Sequence, residues 1–284
     1  MLIALSSVKG SPGVTTFTVA LAANWPSAVR RVVVECDPAG GDLGRRFGLA
    51  LSPGLLSLAA AARQPIEPSA FWNHTQLLAD ELPVVPGPAG GPQARAALST
   101  LVPASSPLHR AARESGVVML ADCGRMDPGS PAEPMIRQAD ALLLISGTHS
   151  DELAHLAARL HELGQVAARP SLVLAGRGHP TKEVEQELGI PVMARIPYDP
   201  TAATSLTGHA IPGRARKGGL VRAAVEVARI LAAGAPSIQA SGPTVGQHVP
   251  GVPPQRVPAY GVRIAPELHN GHHNVVLPDG EVSP

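Results

Sequence analysis

A chain of 284 residues with a formal charge of +1 is long enough to bury a substantial core and too nearly neutral to bind polyanions with its whole surface. Its two cysteines, Cys36 and Cys123, are too few for a disulfide framework, and each stands beside an acid at a predicted strand end, which fits a reducing cytoplasm. No stretch approaches the ~18 apolar residues of a spanning helix, and the first residues lack the basic start and apolar length of an export signal, so a soluble cytoplasmic protein without an integral membrane segment is expected.

Short apolar runs alternate with helical patterns, which predicts a mostly parallel, doubly wound α/β sheet with helices on both faces. The first strand, at residues 2–5, leads into Ser6-Ser7-Val8-Lys9-Gly10-Ser11-Pro12-Gly13-Val14-Thr15-Thr16, and a helix is expected over 17–23. Small residues between a strand and a helix let backbone N–H groups converge on phosphate oxygens. The helix N-terminus adds its positive dipole end, and a Thr hydroxyl can reach Mg2+. The lysine that such a loop places directly before its first threonine is replaced here by Val14. Pro12 removes one further N–H from the cradle.

The second strand, 31–35, runs into Glu35-Cys36-Asp37-Pro38. Further strands are expected at 82–85, 117–121, 141–146, 171–175 and 192–196, and the one at 117–121 delivers Asp122 at its end. Carboxylates after parallel strands gather at one sheet edge, where they suit a hard cation and can hold a water in line with a phosphoryl group. The clearest helix is 151–163. Leu153, Leu156, Ala157, Leu160 and Leu163 recur at helical spacing, His155 and His161 take the other face, Ser150 is the expected N-cap and Gly164 the expected stop. A last amphipathic helix over 220–232 carries Arg222, Glu226 and Arg229 on one side. Residues 1–234 thus form the expected α/β domain. Residues 235–284, with nine prolines and no apolar period, form the expected disordered tail.

The loop VKGSPGVTT resembles the deviant Walker motif of the ParA/MinD family of P-loop ATPases, of the SIMIBI class. Lys9, Gly10, Gly13, Thr15 and Thr16 match it, whereas Ser11 replaces a glycine and Val14 a lysine. Of 23 Lys and Arg residues only Lys9, Lys182 and Lys217 are lysine, which makes Lys9 the more telling. Glu35-Cys36-Asp37-Pro38 resembles the family's D-x-D-P switch segment, and the strand delivering Asp122 its Walker B strand. Residues 189–199, including Ile196-Pro197-Tyr198-Asp199, and Thr207 to Pro212 resemble two later segments.

The resemblance implies ATP and Mg2+ as cofactors. Lys9 would reach across a nucleotide-dependent homodimer to the partner copy's nucleotide; Gly10, Ser11, Gly13, Val14, Thr15 and Thr16 would cradle phosphate; Pro197 would pack against the base. Thr15, Asp37 and Asp122 would hold Mg2+, and Asp37, with Lys9, would serve hydrolysis. The family's base-reading Asn has no counterpart in Ala175-Gly176-Arg177. Losing one preorganised donor at position 14 costs on the order of 10²- to 10³-fold in rate, so hydrolysis is expected to be very slow or absent.

Three functions follow: a ParA/MinD-like positioning or partitioning protein that uses nucleotide as a dimerisation switch; a pseudo-ATPase scaffold binding an unidentified protein partner, as in the TadZ/CpaE-like group; and an active DNA-segregation ATPase. Nonspecific DNA contact would use Arg214, Arg216 and Lys217, whose plainer reading is a solvated surface. A lesser reading makes Asp37 and Asp122 simple caps of the loops after their strands. His272 and His273 lack acid or Cys partners and are not a metal pair.

Overall fold

The computed structural model describes residues 1–10, 12–26, 28–64, 66–78, 82–166, 170–199 and 218–234. Ser11, Thr207 to Pro212, Arg214, Arg216, Lys217, His272, His273 and the expected tail therefore lie outside the described residues.

The first half of the chain builds β1 (Leu2–Ser7), α1 (Val14–Ala23), β2 (Arg30–Glu35), α2 (Leu43–Phe47), α3 (Leu55–Ala61), a 3₁₀ turn (Pro68–His74), β3 (Gln76–Leu77), β4 (Pro83–Val85), α4 (Gly91–Leu101) and α5 (Pro107–Ala112). The second half builds β5 (Val117–Arg125), α6 (Glu133–Arg137), β6 (Ala141–Gly147), α7 (Ser150–Val166), β7 (Pro170–Ala175), α8 (Thr181–Leu188), β8 (Val192–Ile196) and α9 (Gly219–Gly234). The strands form one sheet in the order β3-β4-β2-β5-β1-β6-β7-β8. All neighbours are parallel except β3, which runs antiparallel to β4.

Strands covered on both faces must be apolar on both, which is why β1 and β6 read as near-continuous Leu, Ile and Ala. Alternate side chains enter opposite layers. Ala4, Val34, Met119 and Leu144 join Leu58, Leu98, Leu108 and Leu156 of α3, α4, α5 and α7 on one face. Ile3, Leu5, Val33 and Leu120 join Phe17 and Leu21 of α1 and Val227 of α9 on the other. Small residues on the inner faces of α1 and α9, among them Ala20, Ala224 and Ala228, let these two helices lie together over the sheet.

All seven expected strands are present; the first helix begins at Val14 rather than at residue 17, and other details differ. Asp122 lies inside β5, because that strand continues to Arg125 instead of stopping at residue 121. The expected N-cap role of Ser150 falls to His149, whose carbonyl accepts from Leu153 N at 3.0 Å and whose N–H donates to the Glu152 carboxylate at 3.1 Å. Ser150 is the first helical residue, and its hydroxyl meets His179 Nε2 at 2.9 Å. Gly164 does not stop α7, which continues to Val166; a glycine costs a helix only about 1 kcal/mol, and the buried Leu156 and Leu163 anchor the turns before it. On the same helix His155 and His161 are exposed as expected, and Ala157 is exposed as well. In α9, Arg222, Glu226 and Arg229 face solvent opposite a buried stripe of Leu220, Ala223, Ala224, Val227, Ala228 and Leu231.

Candidate nucleotide site

The chain leaves β1 for β2 on one side of the sheet and leaves the adjacent β5 for β6 on the other, so the connections part here, and the crevice beyond the ends of these two strands is where open parallel sheets place ligands. The loop after β1 occupies that crevice. Gly10 and Gly13 take φ of +68° and +98°, left-handed conformations that side chains resist. Gly13 is the N-cap of α1, and no side chain caps this helix, so its leading N–H groups face outward as potential anion donors. Val14, the first helical residue, is 6% exposed and belongs to the apolar layer between α1, α9 and the sheet. Lys9 is exposed and makes no ion pair among the described residues.

Parallel register then aligns the acids. Asp122 stands opposite Leu5 of β1 and opposite Glu35 of β2. It is fully buried, and burial pushes its carboxyl up to about 6 despite the Thr15 hydroxyl and the Gly124 N–H, which favour its ionised form. Oδ1 accepts from Gly124 N at 3.1 Å, whereas Oδ2 has no hydrogen-bond partner. Asp37 follows β2, accepts from Ala39 N at 2.7 Å, and is held above the ordinary carboxylate range by partial burial. Its carboxylate lies against Gly124, where a Cβ would come within 2.0 Å of Oδ2. That contact, made by a glycine at φ +58°, brings Asp37 beside Asp122.

Glu35, seen in the sequence only as the first acid of its segment, is 1% exposed. Oε1 accepts from Asp42 N at 2.5 Å and Leu43 N at 2.9 Å, and Oε2 accepts from Gly87 N at 2.8 Å. It fastens the segment after Asp37 to the loop after β4. Burial pushes it up to about 7, its backbone donors opposing and the nearby Asp122 charge adding. Cys36 and Cys123 are free, and burial raises both thiols, which makes them inert packing residues.

A cleft of about 540 Å3 opens above these groups, lined by Gly10, Gly13, Val14, Thr15, Asp37, Asp42 and Gly124 and by three arginines that sequence reading passed over, Arg46, Arg95 and Arg125. Their only sequence signal was a basic residue near an acidic or glycine-rich loop. A smaller hollow of about 180 Å3 beside it is lined by Pro12, Thr16, Gly176, Pro197, Tyr198 and Leu220. Pro197 is seated on Gly219 at the head of α9, whose N–H donates to Asp199 Oδ2 at 3.1 Å.

Hard oxygen donors, a buried carboxylate oxygen without a partner and an adjacent threonine suit a divalent cation. No group of three His, Cys, Asp or Glu among the described residues could hold a metal unaided, so a cation here needs phosphate oxygens and water as well.

Comparison with solved structures gives 81% of the chain superposed on 98% of a ParA family ATPase from Chlorobium tepidum TLS, with a TM-score of 0.66 at 20% identity. The fold is that of the ParA/MinD ATPases. The septum site-determining protein MinD of Pyrococcus horikoshii OT3, complexed with Mg-ADP, shares the ParA/MinD fold at TM-score 0.66 and 18% identity, over 82% of this chain and 97% of that one. A Cyanothece McdA variant in its ATP complex gives 0.61 and 13%, over 81% and 96%. No family model and no curated protein matches the sequence. No helix among the described residues is long and apolar enough to cross a membrane.

Proposed function

We propose that the chain is a nucleotide-dependent positioning or partitioning protein of the ParA/MinD kind, in which Mg-nucleotide drives homodimerisation and hydrolysis is weak or absent. The observation that carries this reading is the partnerless Oδ2 of buried Asp122 beside Thr15, at the uncapped head of α1. Keeping a carboxylate there costs solvation, and a cation-binding role accounts for that cost.

In this reading the backbone of Gly10, Ser11, Gly13 and Val14, with Thr15 and Thr16, binds the phosphates of ATP, and Pro197 lies against the base. Thr15 and Asp122 hold Mg2+, Asp122 through water, with Asp37 nearby. Bound Mg2+ would neutralise phosphate charge and orient the terminal group. Asp37 positions the attacking water. Lys9, outside its own cleft, is free to serve the nucleotide of a second copy. The weakness of hydrolysis follows from Val14, whose side chain supplies packing and no charge. A cytoplasmic setting, an unidentified protein partner and DNA contact through Arg214, Arg216 and Lys217 belong to the same proposal.

Titration with Mg-ATP and Mg-GTP by calorimetry, followed by light scattering of wild type and Lys9→Ala, tests it. Binding with dimerisation lost only in Lys9→Ala is expected. No binding at high micromolar protein would remove the reading and leave the second one, a pseudo-ATPase scaffold, which the burial of Val14 favours. Measurable turnover that disappears in Asp37→Ala would exclude the scaffold.

A further inference from the structure

We infer that Arg46 supplies, within the same chain, the phosphate-binding cation that position 14 lacks. The inference rests on the nucleotide-binding reading above and adds to it a residue from outside the loop.

The cleft needs a cation that neither lysine position provides, because Val14 is committed to the apolar layer and Lys9 does not line the cleft. Three arginines do line it. Arg125 donates from both Nε and Nη2 to Asp127 Oδ2, at 3.3 and 3.0 Å. Arg95 donates to the Pro38 carbonyl at 3.0 Å and so braces the segment after Asp37. Arg46 alone touches the phosphate loop, with Nη1 donating to Thr16 Oγ1 at 3.1 Å. Its Nη2 donates to Asp42 Oδ2 at 2.8 Å. Neighbouring Arg45 is exposed, whereas the Arg46 side chain is one-third exposed and turned into the cleft.

The pair with Asp42 is an i,i+4 contact with the acid more than half exposed, the kind that contributes little and is easily exchanged. A guanidinium has donors to spare beyond these two bonds and matches phosphate oxygens in a planar fork. Phosphate therefore takes the place of Asp42 on Arg46. Because the Asp42 N–H is bonded to Glu35, the same exchange carries phosphate occupancy into the segment following Asp37. A cation arriving from α2 restores binding without restoring the geometry of a lysine at the head of α1, in keeping with slow hydrolysis.

The test is calorimetry on the full chain with Mg2+ and a non-hydrolysable ATP analogue, and separately with AMP. It compares wild type, Arg46→Ala, Arg46→Gln and the double variant Arg46→Ala with Val14→Lys, each checked for cooperative thermal unfolding. Loss of a charged donor predicts about a ten- to hundredfold weaker triphosphate affinity in both single variants. A smaller change is expected for AMP, with recovery in the double variant. Single variants that bind the triphosphate within twofold of wild type would overturn the inference and leave the nucleotide reading standing. So would equal losses for triphosphate and AMP without recovery, which would make Arg46 a brace for Thr16 and Asp42 only. A wild type that binds no nucleotide would overturn both.

Discussion

Asp37 and Gly124 are in contact across the cleft floor, the carboxylate of one lying where the side chain of any other residue at position 124 would have to go. Gly124 also donates to Asp122 and accepts from the Ser6 hydroxyl at 3.0 Å, so one glycine spaces both acids from the phosphate loop. Gly124→Ala should expel the Asp37 carboxylate and strain a backbone at φ +58°. A destabilisation of about 1–3 kcal/mol is expected in denaturant titration, with Mg-nucleotide affinity falling in parallel.

Glu35→Ala leaves the N–H groups of Asp42, Leu43 and Gly87 without their acceptor. Each orphaned donor costs on the order of 1 kcal/mol or more, offset in part by removing a buried carboxyl. A net loss of roughly 2 kcal/mol is expected, with amide exchange accelerated at those three residues and unchanged in β6. Unaltered protection at the three amides would show that other contacts hold the two loops together.

Protons act on the same region. Burial pushes Glu35 up to about 7 and Asp122 up to about 6, above the 4.5 and 3.8 of the free side chains, so the folded state binds protons that the unfolded state releases. Their contribution to stability is therefore full below about pH 4 and is lost as pH rises through 6 and 7. His74 and His109, lowered by burial, act in the opposite sense, but they are common to wild type and Asp122→Asn and cancel in the difference. Without divalent cations, Asp122→Asn should be more stable than wild type at pH 8 by roughly 3 kcal/mol, an advantage that halves by about pH 5 and fades toward pH 4. Adding Mg-nucleotide should stabilise wild type alone. Melting curves across this range decide it.

At the far end of the sheet, Asp199→Ala removes the acceptor for the first N–H of α9. About 1 kcal/mol of stability should be lost, with faster exchange at Gly219, and the hollow beside Pro197 should loosen.

Much of the fold was legible because parallel strands buried on both faces leave apolar runs that no loop resembles. β3 was not, since Gln76 and Leu77 are too few to show a period and are ordered by pairing with β4. Thr15, Asp37 and Asp122 were legible as neighbours because each lies in the last residues of a parallel strand or shortly after it, and parallel register brings those positions together. Arg46 left only the weak signal of a basic residue near an acidic loop: it is one of two arginines in a five-residue helix, and the fold, not the sequence, brings it to Thr16. The role of Glu35 was hidden for a related reason. A carboxylate that binds backbone N–H groups has partners of no particular residue type.

Val14 has one more consequence. With its side chain sunk among the contacts that hold α1 and α9 to the sheet, the head of α1 is pinned before anything enters the cleft. Release of a ligand from the cleft leaves that Val14 packing in place. The empty cleft thus already presents the helix head that an entering anion would meet.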